Sequence, residues 1–118
     1  MTQARVRGHQ KYNNHKVLAD GASFDSRAEY RHWQLLLWQA KAGELSHLRR
    51  QVVYELAPAV VLKGRKRPPL RYIADFVFTD KAGREVVQDV KGAVTDAYRI
   101  KRHLMMAVHG IEVQEVRA

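Results

Sequence analysis

The 118-residue sequence contains no cysteine, and this absence excludes several kinds of protein chemistry. Without thiols there can be no disulfide bond, no zinc–thiolate site and no cysteine nucleophile. The sequence also lacks an apolar run near the roughly 20 residues that cross a membrane, and its first residues lack the apolar core of a secretory signal. We therefore expect a cytoplasmic protein.

Acidic residues are scarce relative to basic ones. The chain has 12 Asp and Glu residues against 21 Lys and Arg residues, which gives a formal net charge of +9. Such an excess on one small domain favours a polyanionic partner, most commonly nucleic acid. A membrane surface is the main rival, but it favours a basic amphipathic helix, so we expect no membrane partner. Solubility alone is the remaining explanation for the charge.

The hydrophobic pattern divides the chain into a basic arm, residues 1–16, and one domain, residues 17–118. Within the domain, Asp20-Gly21 predicts a hairpin, and Asp25 or Ser26 can cap a helix that runs to about Ala42. Its predicted apolar stripe consists of Tyr30, Trp33, Leu36, Leu37 and Ala40, with Trp38 extending it.

Strands and one further helix make up the rest of the prediction. They are one or two strands over 48–62, a basic loop over 63–69, a strand over 70–79 buried on both faces, a returning strand over 84–91, a helix from Thr95 or Asp96 to about His109, and a strand over 111–116. This order predicts an α/β fold, in which a central mixed sheet is flanked by helices.

One acid lies within the apolar strand over 70–79, and this is the first sign of chemistry. Asp75 needs a cation, hydrogen-bond donors or a metal, because burying an unpaired carboxylate is costly. The returning strand carries Asp89 and Lys91, which share a face because side chains alternate along a strand.

The turn between these strands predicts how they pair. A three-residue loop, Lys81-Ala82-Gly83, is a favoured hairpin connection and would place Asp80 opposite Arg84. The same register places Asp75 opposite Asp89, whereas a longer loop would make them diagonal neighbours. Directly opposed like charges destabilise a sheet, and a shared divalent cation reverses that effect.

These acids can supply an all-oxygen metal site. Asp75, Asp89 and the backbone carbonyl of Val90 form the ligand set that Mg²⁺ or Mn²⁺ prefers. Such an ion activates water for attack on a phosphodiester, and Lys91 can orient that water and offset the charge on phosphorus. The alternative is an ordinary ion pair between Asp89 and Lys91 on an exposed strand.

Glu29 is a fourth candidate acid. It lies at the end of the helix stripe that contains Trp33, Leu36 and Ala40, so it can reach the site as a metal or water ligand. Alternatively, it simply closes a capping box with Ser26. The sequence leaves both roles open.

The pattern of these residues resembles the motif of the PD-(D/E)xK nucleases. The segment from Tyr72 to Asp75, a hairpin, and Asp89-Val90-Lys91 match that motif, with Ala74 in place of the motif proline. The segment from Phe24 to Glu29 looks like the first-helix acidic motif of many members, including Holliday-junction resolvases. Nearly the whole chain is also similar to a family of small phage and prophage proteins, which shares these segments together with Lys11 to Asn14.

The resemblance implies a restriction-endonuclease-like fold and an Mg²⁺-dependent DNA endonuclease that hydrolyses phosphodiester bonds. Asp75 and Asp89 would bind metal, Lys91 would be the catalytic lysine, and Glu29 would be the acidic residue of the first helix. A branched or flapped DNA substrate is favoured, a homodimer is left open, and a phage-encoded protein would act in the host cytoplasm. The alternatives are a ribonuclease, or a non-catalytic nucleic-acid-binding module whose acids pair with Lys91 and Arg71.

Basic residues in the arm, the 63–69 loop and the second helix are the predicted phosphate contacts. They are Arg5, Arg7, Lys11, Lys16, Lys63, Arg65, Lys66, Arg67 and Lys101. For Lys101, a lysine that extends from a helix edge into solvent is the competing interpretation.

Overall fold

The computed structural model describes residues 16–19 and 21–118. Most of the predicted arm, including Arg5, Arg7 and Lys11, lies outside the described residues. The elements in chain order are β1 (Val17–Ala19), β2 (Ala22–Phe24), α1 (Arg27–Lys41), β3 (Leu45–Ala57), β4 (Val60–Leu62), β5 (Arg65–Arg67), β6 (Leu70–Asp80), β7 (Glu85–Lys91), α2 (Asp96–Leu104), a π-helical turn (Met105–His109) and β8 (Gln114–Arg117).

A four-stranded mixed sheet forms the centre of the domain. Its order is β3-β6-β7-β8, in which β3, β6 and β7 are antiparallel and β8 runs parallel to β7. The α2 segment makes the crossover that a parallel connection requires. Two separate hairpins, β1–β2 and β4–β5, complete the strands. The predicted α/β domain with a mixed sheet flanked by helices is confirmed.

Two hydrophobic clusters hold the helices against the sheet. Leu36 of α1 packs in a cluster with Phe76, and Tyr98 of α2 packs in a second cluster with Val77. Because neighbouring residues of a strand point to opposite faces, Phe76 and Val77 place the two helices on opposite sides of β6. The strands that carry the candidate acids therefore lie in the middle of the domain.

The apolar pattern overpredicted burial at two places. Trp38 does not extend the buried stripe of α1, since 71% of it is exposed; it lies two positions after Leu36, and such residues do not share a helix face. Strand β6 is not buried on both faces throughout, because Leu70 is 55% and Ile73 is 52% exposed. Only its second half lies between the two helices.

Two predicted boundaries also need correction. The basic segment 63–69 is not a simple loop, because Arg65–Arg67 pairs with Val60–Leu62 as an antiparallel hairpin. Lys63 and Gly64 turn this hairpin with left-handed φ values of 52° and 72°. The second helix is α-helical only to Leu104, after which the π-helical turn carries it to His109.

Candidate functional site

Strands β6 and β7 separate at the candidate acids. Their pairing places Thr79 opposite Glu85 and Phe76 opposite Gln88, which confirms the register predicted from the turn. The pairing ends at Phe76 and Gln88, and from there β6 stays with β3 while β7 stays with β8. Asp75 and Asp89 are the next residues of the two strands, so they lie at the fork between them.

The two carboxylates hold the fork together through backbone donors. The Asp75 N–H donates to Asp89 Oδ1 at 3.1 Å, and the Val90 N–H donates to Asp75 Oδ2 at 2.9 Å. Each carboxylate thus accepts from the backbone of the opposite strand. The structure brings Asp75 and Asp89 together; Val90 joins them through its N–H, whereas the sequence predicted its carbonyl as a metal ligand.

Burial and the neighbouring acids disfavour the ionised form of Asp75. Burial, then the charge of Asp89, then that of Glu29, raise the pKa of Asp75 to about 8, against one opposing hydrogen bond from Val90. Asp89 itself is only 3% exposed. Without a cation, Asp75 therefore holds a proton near neutral pH.

Lys91 supplies the positive charge next to these acids. Its Nζ lies 3.1 Å from Asp89 Oδ2 and 4.1 Å from the centroid of the Tyr98 ring, a cation–π contact. Tyr98 is held in turn by Glu115, which accepts a hydrogen bond from its hydroxyl at 2.9 Å. The ammonium group is thus positioned from two sides.

Glu29 performs a capping role and also lies near the fork. Its backbone N–H donates to Ser26 Oγ at 3.1 Å, and its Oε1 accepts from the Asp25 N–H at 3.3 Å. The reciprocal bond therefore comes from the residue before the cap. Burial and the charge of Asp25 raise the pKa of Glu29, and its effect on Asp75 shows that the two acids interact.

Arg50, which sequence reasoning missed, is the basic partner of Glu29. Its Nη2 lies 3.4 Å from Glu29 Oε2 and donates to the Ser23 carbonyl at 2.8 Å. The guanidinium carbon lies 3.9 Å from the centroid of the Phe24 ring. No local pattern indicates this contact, because Arg50 and Glu29 are 21 residues apart in the chain.

Tyr72 was also missed as a neighbour of the site. Burial, followed by the charge of Asp89, raises the pKa of its phenol above the ordinary value. Its hydroxyl is buried and has no hydrogen-bond partner in the described part of the chain. The motif residue at the start of Tyr72-Ile73-Ala74-Asp75 therefore places a buried phenol next to the Asp89 carboxylate.

The available ligands are two carboxylates and a main-chain carbonyl rather than a cluster of side chains. Within residues 16–19 and 21–118, no three His, Cys, Asp or Glu side chains form a group that could hold a metal ion. Asp75, Asp89 and the Val90 carbonyl stay the predicted ligands, since Mg²⁺ is usually bound by one or two carboxylates and keeps several waters.

The predicted phosphate contacts fall into different environments. Lys63, Arg65 and Lys66 are exposed on the β4–β5 hairpin, whereas Arg67 is partly buried. Lys16 forms an exposed ion pair with Asp25 at 3.3 Å, and Lys101 is partly buried on α2. In the described residues, no helix is long and apolar enough to cross a membrane.

In a comparison with known proteins, a family model matches residues 9–117 of the chain. Searches of curated proteins and of solved structures found no match. The family match spans the hairpin, both helices and the fork, and it is compatible with the resemblance to small phage proteins. The chain therefore belongs to the family described as Protein of unknown function (DUF1064).

Proposed function

We propose that this protein is a metal-dependent DNA endonuclease that hydrolyses phosphodiester bonds at the fork between β6 and β7. One observation carries the proposal: the partly buried Asp75 and the buried Asp89 lie together at the fork, and the ammonium group of Lys91 is 3.1 Å from Asp89. This arrangement fits the PD-(D/E)xK resemblance residue by residue.

The chemistry of the site fits a hard divalent cation. Burial and the neighbouring carboxylates raise the pKa of Asp75, and an ion between the carboxylates would let both ionise. Asp75, Asp89 and the Val90 carbonyl, with Glu29 nearby, would hold Mg²⁺ or Mn²⁺. When bound, such an ion supplies Lewis-acid assistance to phosphodiester hydrolysis.

The protein's own groups would orient the reaction. The Val90 N–H fixes the Asp75 carboxylate through Oδ2, and the Asp75 N–H fixes Asp89 through Oδ1. Lys91, positioned between Asp89 and the Tyr98 ring, would offset negative charge on the scissile phosphate. Arg50 would keep Glu29 directed towards the fork.

The proposal extends to the substrate, the oligomeric state and the cellular location. The net charge of +9 favours DNA as the partner, and the resemblance favours branched or flapped forms. A homodimer would let two sites act on two strands. The protein would act in the cytoplasm, or in that of the host if it is encoded by a phage.

The test is a cleavage assay with labelled duplex, flap, four-way-junction and single-stranded DNA, and with RNA, in Mg²⁺, Mn²⁺ or EDTA. Wild-type protein is compared with Asp75→Ala and with Asp96→Ala, a control acid that lies on the surface of α2. We expect metal-dependent DNA cleavage that Asp75→Ala abolishes and Asp96→Ala retains. Cleavage of RNA alone would identify a ribonuclease, and no cleavage would reject the catalytic proposal.

A non-catalytic nucleic-acid-binding module is the second candidate, and one observation favours it. Asp89 already accepts from the Asp75 N–H and pairs with Lys91, so these acids have partners within the protein. Asp75→Asn separates the two functions. In the nuclease it abolishes cleavage but spares or tightens DNA binding, whereas in the module it changes stability and little else.

A further inference from the structure

The β4–β5 hairpin, Val60–Arg67, is a short ribbon with an unusual composition. It contains four cations, Lys63, Arg65, Lys66 and Arg67, and the segment 57–70 contains no acidic residue. None of these cations forms an ion pair with any residue that the structure describes. The charge of the three exposed cations, Lys63, Arg65 and Lys66, is therefore available to a partner.

The ribbon is also stiffened at its base. All three prolines of the sequence flank it, at Pro58 and at Pro68-Pro69, and proline fixes φ near −65°. The pairs Val60–Arg67, Val61–Lys66 and Leu62–Arg65 keep the strands together. The cations are thus presented on a defined backbone, which lowers the entropy lost when they bind.

Apolar side chains accompany the cations on this ribbon. Val61 is 68% exposed and lies directly opposite Lys66, so one face presents a methyl-bearing and a cationic side chain side by side. A major groove offers matching features, since phosphates line its rim and thymine methyl groups lie on its floor. A two-stranded β-ribbon also has the width that the major groove admits.

An exposed strip of sheet joins the ribbon to the fork. β6 begins at Leu70, five residues before Asp75, which corresponds to roughly 17 Å along a strand. Between these ends, Ile73 and its partner Val53 are both more than half exposed. With about 3.4 Å of rise per base pair, the strip from Leu70 to Asp75 alone spans about five base pairs.

We infer that the β4–β5 ribbon enters the major groove of a double-stranded DNA arm, to one side of the phosphate held at the fork and separated from it by the strip from Leu70 to Asp75. This inference rests on the proposed function and narrows its substrate to DNA that is duplex on the ribbon side. Single-stranded DNA would reach the fork but would not engage the ribbon.

The test is binding and footprinting in EDTA, where cutting is absent. Arg65→Ala/Lys66→Ala is compared with wild type and with Lys41→Ala/Lys81→Ala, which removes the same charge from exposed positions on α1 and at the β6–β7 turn. Affinity for duplex and for single-stranded DNA is measured against salt. Dimethyl sulfate reports guanine N7 in the major groove and adenine N3 in the minor groove.

We expect the affinity of the ribbon variant for duplex DNA to fall by about tenfold. A plot of log affinity against log salt concentration should become shallower by about two in slope. Affinity for the single strand changes less. Wild-type protein protects guanine N7 on the duplex arm, and the ribbon variant loses that protection. The control pair behaves as wild type.

Equal losses in both double variants, or N7 protection that survives in the ribbon variant, would overturn the inference. So would a dimer that Val61→Ser dissociates without weakening DNA binding, because the ribbon would then be a self-association surface. Cleavage in Mg²⁺ separates the two proposals. If the ribbon variant loses binding but wild type does not cleave, only the endonuclease proposal is rejected. If wild type cleaves but its N7 protection does not depend on the ribbon, only the groove contact is rejected.

Discussion

The pKa of Asp75 is raised by the chain segments that pack around it. Its pKa rises from 3.8 to about 8, first because of burial and then because of Asp89 and Glu29. Between these pH values the native protein holds a proton that the unfolded chain has lost. The stability contributed by this group is therefore present in acid and falls as pH rises through that window.

Substitution of Asp75 by asparagine should remove this pH dependence. Asparagine keeps an oxygen that can accept from the Val90 N–H and carries no charge. In EDTA we expect Asp75→Asn to melt above wild type at pH 8, by about 4 °C or more for each kcal/mol regained, and close to wild type near pH 4. Thermal unfolding followed by circular dichroism measures this, and a difference independent of pH would contradict it. Added Mg²⁺ should stabilise wild type only.

Lys91 should matter for cleavage more than for binding. Lys91→Met keeps an aliphatic chain against Tyr98 but removes the ammonium group next to Asp89. We expect the single-turnover cleavage rate to fall by about 10²- to 10³-fold, with DNA affinity within a few-fold of wild type. Lys81→Met, on the exposed β6–β7 turn, is the control. An equal fall in both variants would argue against a role at the fork.

The way in which contacting residues are connected decides which parts of this site could be predicted. Asp75 and Asp89 are linked by a tight hairpin, so the turn predicts their register from local geometry. Glu29 and Arg50, or Tyr98 and Lys91, meet only after helices dock on the sheet. Side-chain periodicity carries no information about such docking, and the catalytic roles of the acids stay predictions.

At the level of elements, α1 begins where the sequence indicates. Ser26 accepts from the Glu29 N–H at 3.1 Å and satisfies one of the free donors of the first turn. We expect Ser26→Ala to lower the free energy of unfolding by about 1 kcal/mol, measured by urea titration. Ser23→Ala, an exposed serine on β2, should change it by less than about 0.5 kcal/mol. Equal effects would mean that the cap contributes nothing specific.

One half of the β4–β5 ribbon shows where element prediction failed, because β4 lies within the predicted strands over 48–62 but β5 falls in the predicted loop over 63–69. Its strands are three residues each, too short for an alternating pattern to emerge, and the neighbouring prolines and cations resemble a loop. The Lys63-Gly64 turn was the available signal, because left-handed backbone at both positions suits a two-residue hairpin. By contrast, the long strands and α1 carried enough periodicity to be located.

For the whole molecule, the charge of +9 implies binding that depends strongly on salt. If six or more phosphates are contacted, affinity for duplex DNA should fall by roughly 10³-fold or more between about 50 and 200 mM salt. Fluorescence anisotropy in EDTA measures this. A slope near zero would mean that the basic surface does not contact the phosphate backbone.

The irregular backbone of β3 has a consequence for the behaviour of the protein in concentrated solution. β3 lies at one edge of the sheet, and thirteen residues of unpaired edge would be a template for another molecule's strand. His47 and Gln51 have φ values of 54° and 52°, and the register shifts again between Glu55 and Ala57. The longest run between these irregularities is therefore Val52–Glu55, which offers a foreign strand few residues to pair with, so we expect β3 to resist the edge-to-edge pairing that leads to aggregation.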